Sequence, residues 1–119
     1  MDKAGEQFWT QFWQGKKLPP PIRVGGRGPR AWFYQEFDQL WRAYLPAATA
    51  RPLRLLEIGC AQSRWLPYFA RDWGYQVAGL DYSELGCAQS RALLDWGRGG
   101  RGYLSSKYVR PSFPPIGIL

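Results

Sequence analysis

Two carboxylates flank a turn of small residues in the middle of the chain, and their spacing suits the binding of the adenosine part of a cofactor. Glu57 precedes the turn at residues 59–63, and Asp81 follows Gly59 by 22 residues. Small residues let a backbone approach a ligand closely, and the N–H groups at a helix start attract a carboxylate or phosphate. A carboxylate at Asp81 can accept hydrogen bonds from both hydroxyls of a ribose.

Alternating strands and helices are needed to bring these groups together. Residues 53–58 form a short apolar run, typical of a strand buried on both faces, and residues 75–80 predict a second strand. Residues 63–73 fit a helix that begins at a serine cap and carries one apolar face. Gly74 is expected to end this helix. A further helix is predicted over 84–96 with Ser83 as its cap, although Gly86 is a poor helix former. This order predicts a parallel strand pair whose carboxyl ends bring both loops to one edge of the sheet.

Three ligands compete for such a turn. A dinucleotide favours Gly-x-Gly-x-x-Gly, but counted from Gly59 the second and third positions hold Ala61 and Arg64. A mononucleotide loop needs Gly-x-x-x-x-Gly-Lys followed by Ser or Thr, which the chain lacks. S-adenosylmethionine carries no phosphate, so its turn tolerates more substitution. The turn therefore favours S-adenosylmethionine, and Arg64 is expected to be a surface or helix-end residue.

Two segments carry a family resemblance. Residues 55–61, Leu-Leu-Glu-Ile-Gly-Cys-Ala, and residues 79–83, Gly-Leu-Asp-Tyr-Ser, resemble the first two cofactor motifs of class I S-adenosylmethionine-dependent methyltransferases. The resemblance covers about residues 53–96, although Ala61 and Ser63 stand where the family usually has further glycines. It implies a doubly wound, Rossmann-like parallel α/β sheet, of which two strands can be placed here. It also implies methyl transfer, in which the enzyme acts mainly by positioning the acceptor in line with the sulfonium methyl.

The same resemblance implies a set of cofactor-binding residues around the two loops: Glu57, Gly59, Cys60, Ala61, Asp81 and Tyr82. Glu57 would orient the turn and meet the methionine amino group, directly or through water. Gly59 and the backbone of residues 60–61 would approach the methionine portion. Asp81 would bind the ribose hydroxyls, and Tyr82 would flank the adenine. No catalytic residue is assigned, because the chain has no histidine and no general base is evident.

Three segments are expected along the chain. Residues 1–50 form an N-terminal helical cap, with aromatic-faced helices over 4–14 and 31–45 joined by a basic loop rich in proline and glycine. Residues 51–97 form a partial cofactor-binding domain, and residues 98–119 form an irregular basic tail with one short extended piece at 103–104. Four tryptophans are expected in the core rather than in a substrate cage: Trp9, Trp13, Trp32 and Trp41.

The basic tail at residues 98–119 bears on whether the chain forms a complete cofactor-binding domain. Strand patterning and acidic residues both stop after Gly97. The family's adenine-binding loop and its acceptor-binding residues have no counterpart that can be identified. The chain is therefore interpreted as the truncated or frameshifted product of a methyltransferase gene.

The charge of the chain supports an alternative function. The formal net charge is +7, from 16 Lys and Arg against nine Asp and Glu. A solvated basic surface is the simplest explanation. The alternative is a non-catalytic basic fragment that binds nucleic acid or a protein partner through the loop at residues 15–30 and exposed aromatic side chains.

The cysteines and the N-terminal residues indicate the cellular compartment in which the protein is expected. Cys60 and Cys87, without histidine, form no zinc pattern and are expected to be buried free thiols in a reducing compartment. The first residues lack the pattern of a signal peptide, and no apolar run approaches the roughly 20 residues that span a bilayer. The sequence therefore predicts a soluble, cytoplasmic protein with no metal and no membrane partner.

Overall fold

A computed structural model describes residues 5–47, 53–98 and 108–109 of the chain. The described residues form a mixed α/β structure, as the sequence predicts at this coarse level. It contains four helices and a three-stranded sheet in the order β1-β2-β3. The elements in chain order are α1 (Glu6–Trp13), α2 (Pro29–Tyr44), β1 (Arg54–Ile58), α3 (Trp65–Asp72), β2 (Gln76–Leu80), α4 (Glu84–Arg98) and β3 (Tyr108–Val109).

The strand pairing creates the edge on which the site is built. β1 and β2 are parallel, with Leu55 opposite Val77 and Ile58 opposite Leu80. Their carboxyl ends therefore meet at the same edge, as the sequence predicts. β3 pairs antiparallel with the end of β2. The prediction of an irregular tail is thus wrong at residues 108–109, because two residues are too few to carry a readable strand pattern. The extended piece predicted at 103–104 lies outside the described residues.

β1 departs from its prediction in burial. Both faces were expected to be buried, but the side chains of Leu56 and Ile58 are 62% and 77% exposed. The reason is tertiary: Leu55 points to the face that packs on the adjoining core cluster, whereas Leu56 and Ile58 alternate to the other face, which the described helices leave uncovered at β1. An apolar strand therefore keeps one uncovered face.

Two buried clusters hold the helices to the sheet. The first lies between α3, α4 and the strands and contains Cys60, Leu66, Ala70, Cys87 and Leu94. The second is aromatic, and joins α2 and the loop before it to α3 through Ile22, Tyr68, Phe69, Trp73 and Tyr75, with Tyr34, Trp41 and Trp65 packed against it. Trp41 thus belongs to the core, as expected. Trp32 is 64% exposed, so the core prediction is wrong for that residue.

A polar contact fixes the position of α2 within the aromatic cluster. Asp38 is buried and accepts hydrogen bonds from the Tyr68 hydroxyl and from Arg42 Nε, the latter at 2.9 Å. Burial alone would raise the pKa of the Asp38 carboxyl, but the hydrogen bonds from Arg42 and Tyr68 outweigh it and lower that pKa. The carboxylate is thus charged and paired, which ties α2 to α3.

In the part of the chain that the structure covers, no helix is long and apolar enough to cross a bilayer.

Candidate functional site

The carboxylate of Asp81 joins the two loops at the carboxyl edge of the sheet. One oxygen accepts the Ala61 N–H at 3.0 Å, and the other accepts the Ser83 N–H at 2.8 Å. The turn after β1 and the loop after β2 are therefore linked through one side chain. A carboxylate has about four acceptor sites, so Asp81 retains capacity for further hydrogen bonds.

The turn after β1 owes its shape to two residues with positive φ. Gly59 has φ +77°, and Gln62 has φ +50°, a conformation that non-glycine residues seldom adopt. The carbonyl of Leu80 accepts the Gly59 N–H at 2.7 Å and the Cys60 N–H at 3.2 Å. A Cβ built on Gly59 would meet no atom within 4 Å, so the space beside this glycine is open.

Two buried serines, Ser63 and Ser90, form hydrogen bonds that fix the turn after β1. The Ser63 hydroxyl donates to Glu57 at 2.5 Å and accepts the Leu66 N–H of the first turn of α3 at 3.0 Å. The N-cap position itself is Arg64, one residue after the predicted Ser63. The fully buried Ser90 hydroxyl accepts the Ser63 N–H at 3.0 Å and donates to the Cys60 carbonyl. Sequence reasoning missed Ser90, although a serine on the apolar face of a predicted helix is a signal for such a role.

Glu57 is half-buried beneath the turn. Its burial raises the pKa of the carboxyl, the hydrogen bond from Ser63 lowers it, and the nearby negative charge of Asp81 raises it again. The net direction is upward, because burial is the largest of the three causes. Glu57 thus orients the turn through Ser63. Its predicted contact with a ligand stays a prediction.

Two glycines allow the elements around the turn to come close together. A Cβ on Gly79 of β2 would lie 2.5 Å from Cys60 Sγ and 3.0 Å from Leu66 Cδ1. A Cβ on Gly86 of α4 would lie 2.5 Å from Ala61 Cβ. The two 2.5 Å distances are too short for non-bonded heavy atoms. β2 can therefore lie this close to Cys60, and α4 this close to Ala61, only because Gly79 and Gly86 lack side chains.

A cleft of about 760 Å³ opens above the turn, with α1 on its far side. Trp9 and Trp13 of α1 line it, so these aromatics border the cleft rather than the main core where they were expected. α1 is attached to α4, since Gln89 Nε2 donates to the Trp13 carbonyl at 3.1 Å. Its Thr10 hydroxyl also lies 3.1 Å from the hydroxyl of Ser83. The cleft is lined by Glu6, Trp9, Trp13, Ile58, Gly59, Ala61, Leu80, Asp81 and Tyr82.

The structure brings four of the six predicted site residues to this cleft: Gly59, Ala61, Asp81 and Tyr82. Glu57 lies beneath the turn and Cys60 lies in the core, so neither lines the cleft. The backbone N–H of Cys60, expected to approach a ligand, donates instead to the Leu80 carbonyl. Burial raises the pKa of the Cys60 thiol to about 12, so the thiol is protonated and unreactive at neutral pH. Cys60 and Cys87 are both free and buried, as predicted.

The charge of the cleft distinguishes between ligands. Among the described residues that line it, Glu6 and Asp81 are acids and none is a base. The remaining lining is largely aromatic and aliphatic. A pyrophosphate would therefore meet the carboxylate of Asp81 and no base among the described lining residues, whereas a flat neutral base, a ribose or a cationic group suits these walls.

Over residues 5–47, 53–98 and 108–109, no group of three or more His, Cys, Asp or Glu side chains lies together so that it could hold a metal ion.

Comparison of the chain with protein-family models, with curated proteins and with solved structures finds no match.

Proposed function

We propose that the cleft binds S-adenosylmethionine, and that the chain is the cofactor-binding part of a class I methyltransferase with a Rossmann-like sheet. The adenosine would lie between the two loops, with its ribose hydroxyls on Asp81 and its adenine beside Tyr82. The methionine portion would extend past Gly59 and Ala61 toward α1.

One observation carries the proposal: a carboxylate that follows β2 lies beside the open turn after β1, in a cleft whose described lining contains acids and aromatic rings but no base. The positive sulfonium and ammonium groups of S-adenosylmethionine are complementary to this charge. Aromatic faces attract such cations by about 0.5–2 kcal/mol each. Trp9 and Trp13 line the cleft and would supply those faces, while Lys16 Nζ already lies 5.8 Å from the ring centroid of Trp13.

The work of the chain in methyl transfer would be to bind and orient. Asp81 fixes the turn through the Ala61 N–H while its other lone pairs receive the ribose. Glu57 and Ser63 hold the backbone that the methionine portion follows. The cofactor supplies an electrophilic methyl group, and the protein holds it in a single orientation for an acceptor.

Calorimetric titration of the full chain with S-adenosylmethionine tests the proposal. We expect Asp81→Ala to weaken binding by about tenfold or more, since hydrogen bonds to a charged group contribute about 1.5–3 kcal/mol. Asp72→Ala is the matched control, because it removes a carboxylate at the end of α3 that pairs with Arg71 instead. Thermal unfolding of both variants separates lost binding from lost structure.

Three results would count against the proposal. The first is a folded wild-type chain that releases no heat with S-adenosylmethionine. The second is equal affinity of the Asp81→Ala and Asp72→Ala variants. The third is tighter binding of a nicotinamide dinucleotide, whose pyrophosphate is disfavoured by the acids of the cleft.

A further inference from the structure

The loop between α1 and α2 carries a concentration of positive charge. No acidic residue occurs between Glu6 and Glu36. Five cations lie in this interval, and all five are exposed: Lys16, Lys17, Arg23, Arg27 and Arg30. None of the five belongs to an ion pair within the described residues. Lys16 contacts aromatic rings of α1 instead, with its Nζ 3.8 Å from the ring centroid of Phe12 and 5.8 Å from that of Trp13. No carboxylate of the described residues therefore neutralises these five cations.

This loop has a defined shape. Ile22 at its centre is 1% exposed and packs in the aromatic cluster. Two arginines of the α3 region donate to its carbonyls, Arg64 Nε to Pro20 at 3.0 Å and Arg71 Nη2 to Ile22 at 2.6 Å. The backbone is thus held against the protein while the cations face solvent, so an incoming ligand would not have to order the loop.

The start of α2 adds a second, independent feature. Its N-cap is Gly28, which provides no side-chain hydrogen bond, and its first turn contains no acid. Arg30 in that first turn adds a cation to the positive end of the helix, an arrangement that is unfavourable without an anion. Phosphate groups are the anions that such helix ends bind most readily.

Trp32 follows Arg30 by two residues in α2 and is 64% exposed. An exposed indole ring offers a stacking face for a nucleic acid base. Cations that follow a phosphate backbone, combined with an aromatic ring on which a base stacks, are the components of sequence-tolerant single-strand binding.

We propose that the surface formed by Lys16, Lys17, Arg23, Arg27, Arg30 and Trp32 binds single-stranded nucleic acid. The cations contact successive phosphates, and Trp32 stacks on one unpaired base. A duplex keeps its bases paired, so it would engage the cations without the indole. None of these six residues lines the cleft, although Lys16 Nζ lies 5.8 Å from the ring centroid of Trp13, which does. The proposal does not depend on cofactor binding.

The test uses the full chain and fluorescein-labelled oligothymidylate of about 12 nucleotides, a length suited to a site of this kind. Binding is followed by fluorescence anisotropy over a series of salt concentrations. Log K falls as log salt rises, and the triple variant R23Q/R27Q/R30Q should make this negative slope shallower by about 2. Each phosphate contact to a single strand contributes about 0.7 to the magnitude of the slope. Trp32→Ala should weaken binding by about tenfold.

Matched controls define the outcomes that overturn the proposal. Tyr44 is 78% exposed at the opposite end of α2, so Tyr44→Ala should leave the affinity unchanged. Arg54→Gln removes the same charge as Arg27→Gln but lies on β1, and should have the smaller effect. Equal effects of Trp32→Ala and Tyr44→Ala, or of Arg27→Gln and Arg54→Gln, would overturn the proposal. The absence of binding by the folded wild-type chain at low salt would overturn it as well. Asp81→Ala should retain oligothymidylate binding, which separates this test from that of the cleft.

Discussion

Gly86 is the position at which local preference and tertiary packing predict opposite effects. It is the third residue of α4, and replacing a helical glycine with alanine ordinarily stabilises a helix by up to about 1 kcal/mol. The added Cβ, however, would lie 2.5 Å from Ala61 Cβ and 3.4 Å from Asp81 Oδ1. Since a methyl group on a backbone has no rotamer by which to move away, α4 or the turn must shift.

Whether Gly86→Ala stabilises or destabilises the protein depends on the relative size of these two effects. Overpacking of a buried contact typically costs about 1–3 kcal/mol, which exceeds the gain in helix preference. We therefore expect Gly86→Ala to lower the free energy of unfolding by up to about 2 kcal/mol. The same shift would disturb the hydrogen bond between Ala61 N–H and Asp81, so cofactor affinity should fall as well.

A double-mutant cycle isolates this contact. Ala61→Gly removes the methyl group that the new Cβ would meet. On its own it should cost about 0.5–1 kcal/mol in backbone freedom, but combined with Gly86→Ala it should restore stability close to that of the wild type. Urea unfolding followed by tryptophan fluorescence gives each free energy, provided that the m-value stays constant. Stabilisation by Gly86→Ala alone, or purely additive effects in the cycle, would refute the packing argument.

Two further predictions concern the residues that hold the turn. Because burial raises the pKa of Glu57, the folded chain binds this proton more tightly than the unfolded chain, and the stability contributed by Glu57 falls as the pH rises above the ordinary glutamate value of about 4.3. In a series of thermal melts, Glu57→Gln should therefore have a higher melting temperature than the wild type at pH 7.5, and this difference should disappear near pH 4. A difference that grew toward low pH would contradict the raised pKa of Glu57. Ser90→Ala should lower stability by about 0.5–1.5 kcal/mol, because it removes the two hydrogen bonds of this hydroxyl to the turn, while the Ser63 N–H keeps its bond to the Cys60 carbonyl at 2.8 Å. Urea unfolding measures that loss, and a change below about 0.5 kcal/mol would show that water replaces the hydroxyl.

Much of the fold could be predicted from local signals. Apolar periodicity predicted α1 to α4 and the first two strands to within a few residues of their observed bounds. Ser63 and Ser83 were expected to cap helices, and each hydroxyl accepts a backbone N–H three residues later. Gly74, with φ +67°, ends α3 as predicted. These features succeeded because each depends on the preferences of a few neighbouring residues.

Other features could not be predicted because they depend on distant parts of the chain. Leu56 and Ile58 have the same apolar character as buried strand residues, and they are exposed because the described helices pack on the other face of β1. Trp32 and Trp41 lie on one helix and look alike in sequence, yet one faces solvent and the other packs against α3. Burial is a property of the assembled surface, which hydrophobicity alone does not specify.

In the candidate site, too, some features follow from the local sequence and others depend on tertiary packing. The sequence by itself determined which groups meet at the sheet edge, because parallel strands must place the turn at Gly59 and the carboxylate of Asp81 side by side. The tertiary structure alone decided how they are held: Ser90 reaches the turn from α4, and Gly86 lets that helix pass against Ala61. It also placed Trp9 and Trp13 across the cleft. Chain order is enough to align two neighbouring strand ends, whereas contacts between separate helices depend on the angles at which they pack.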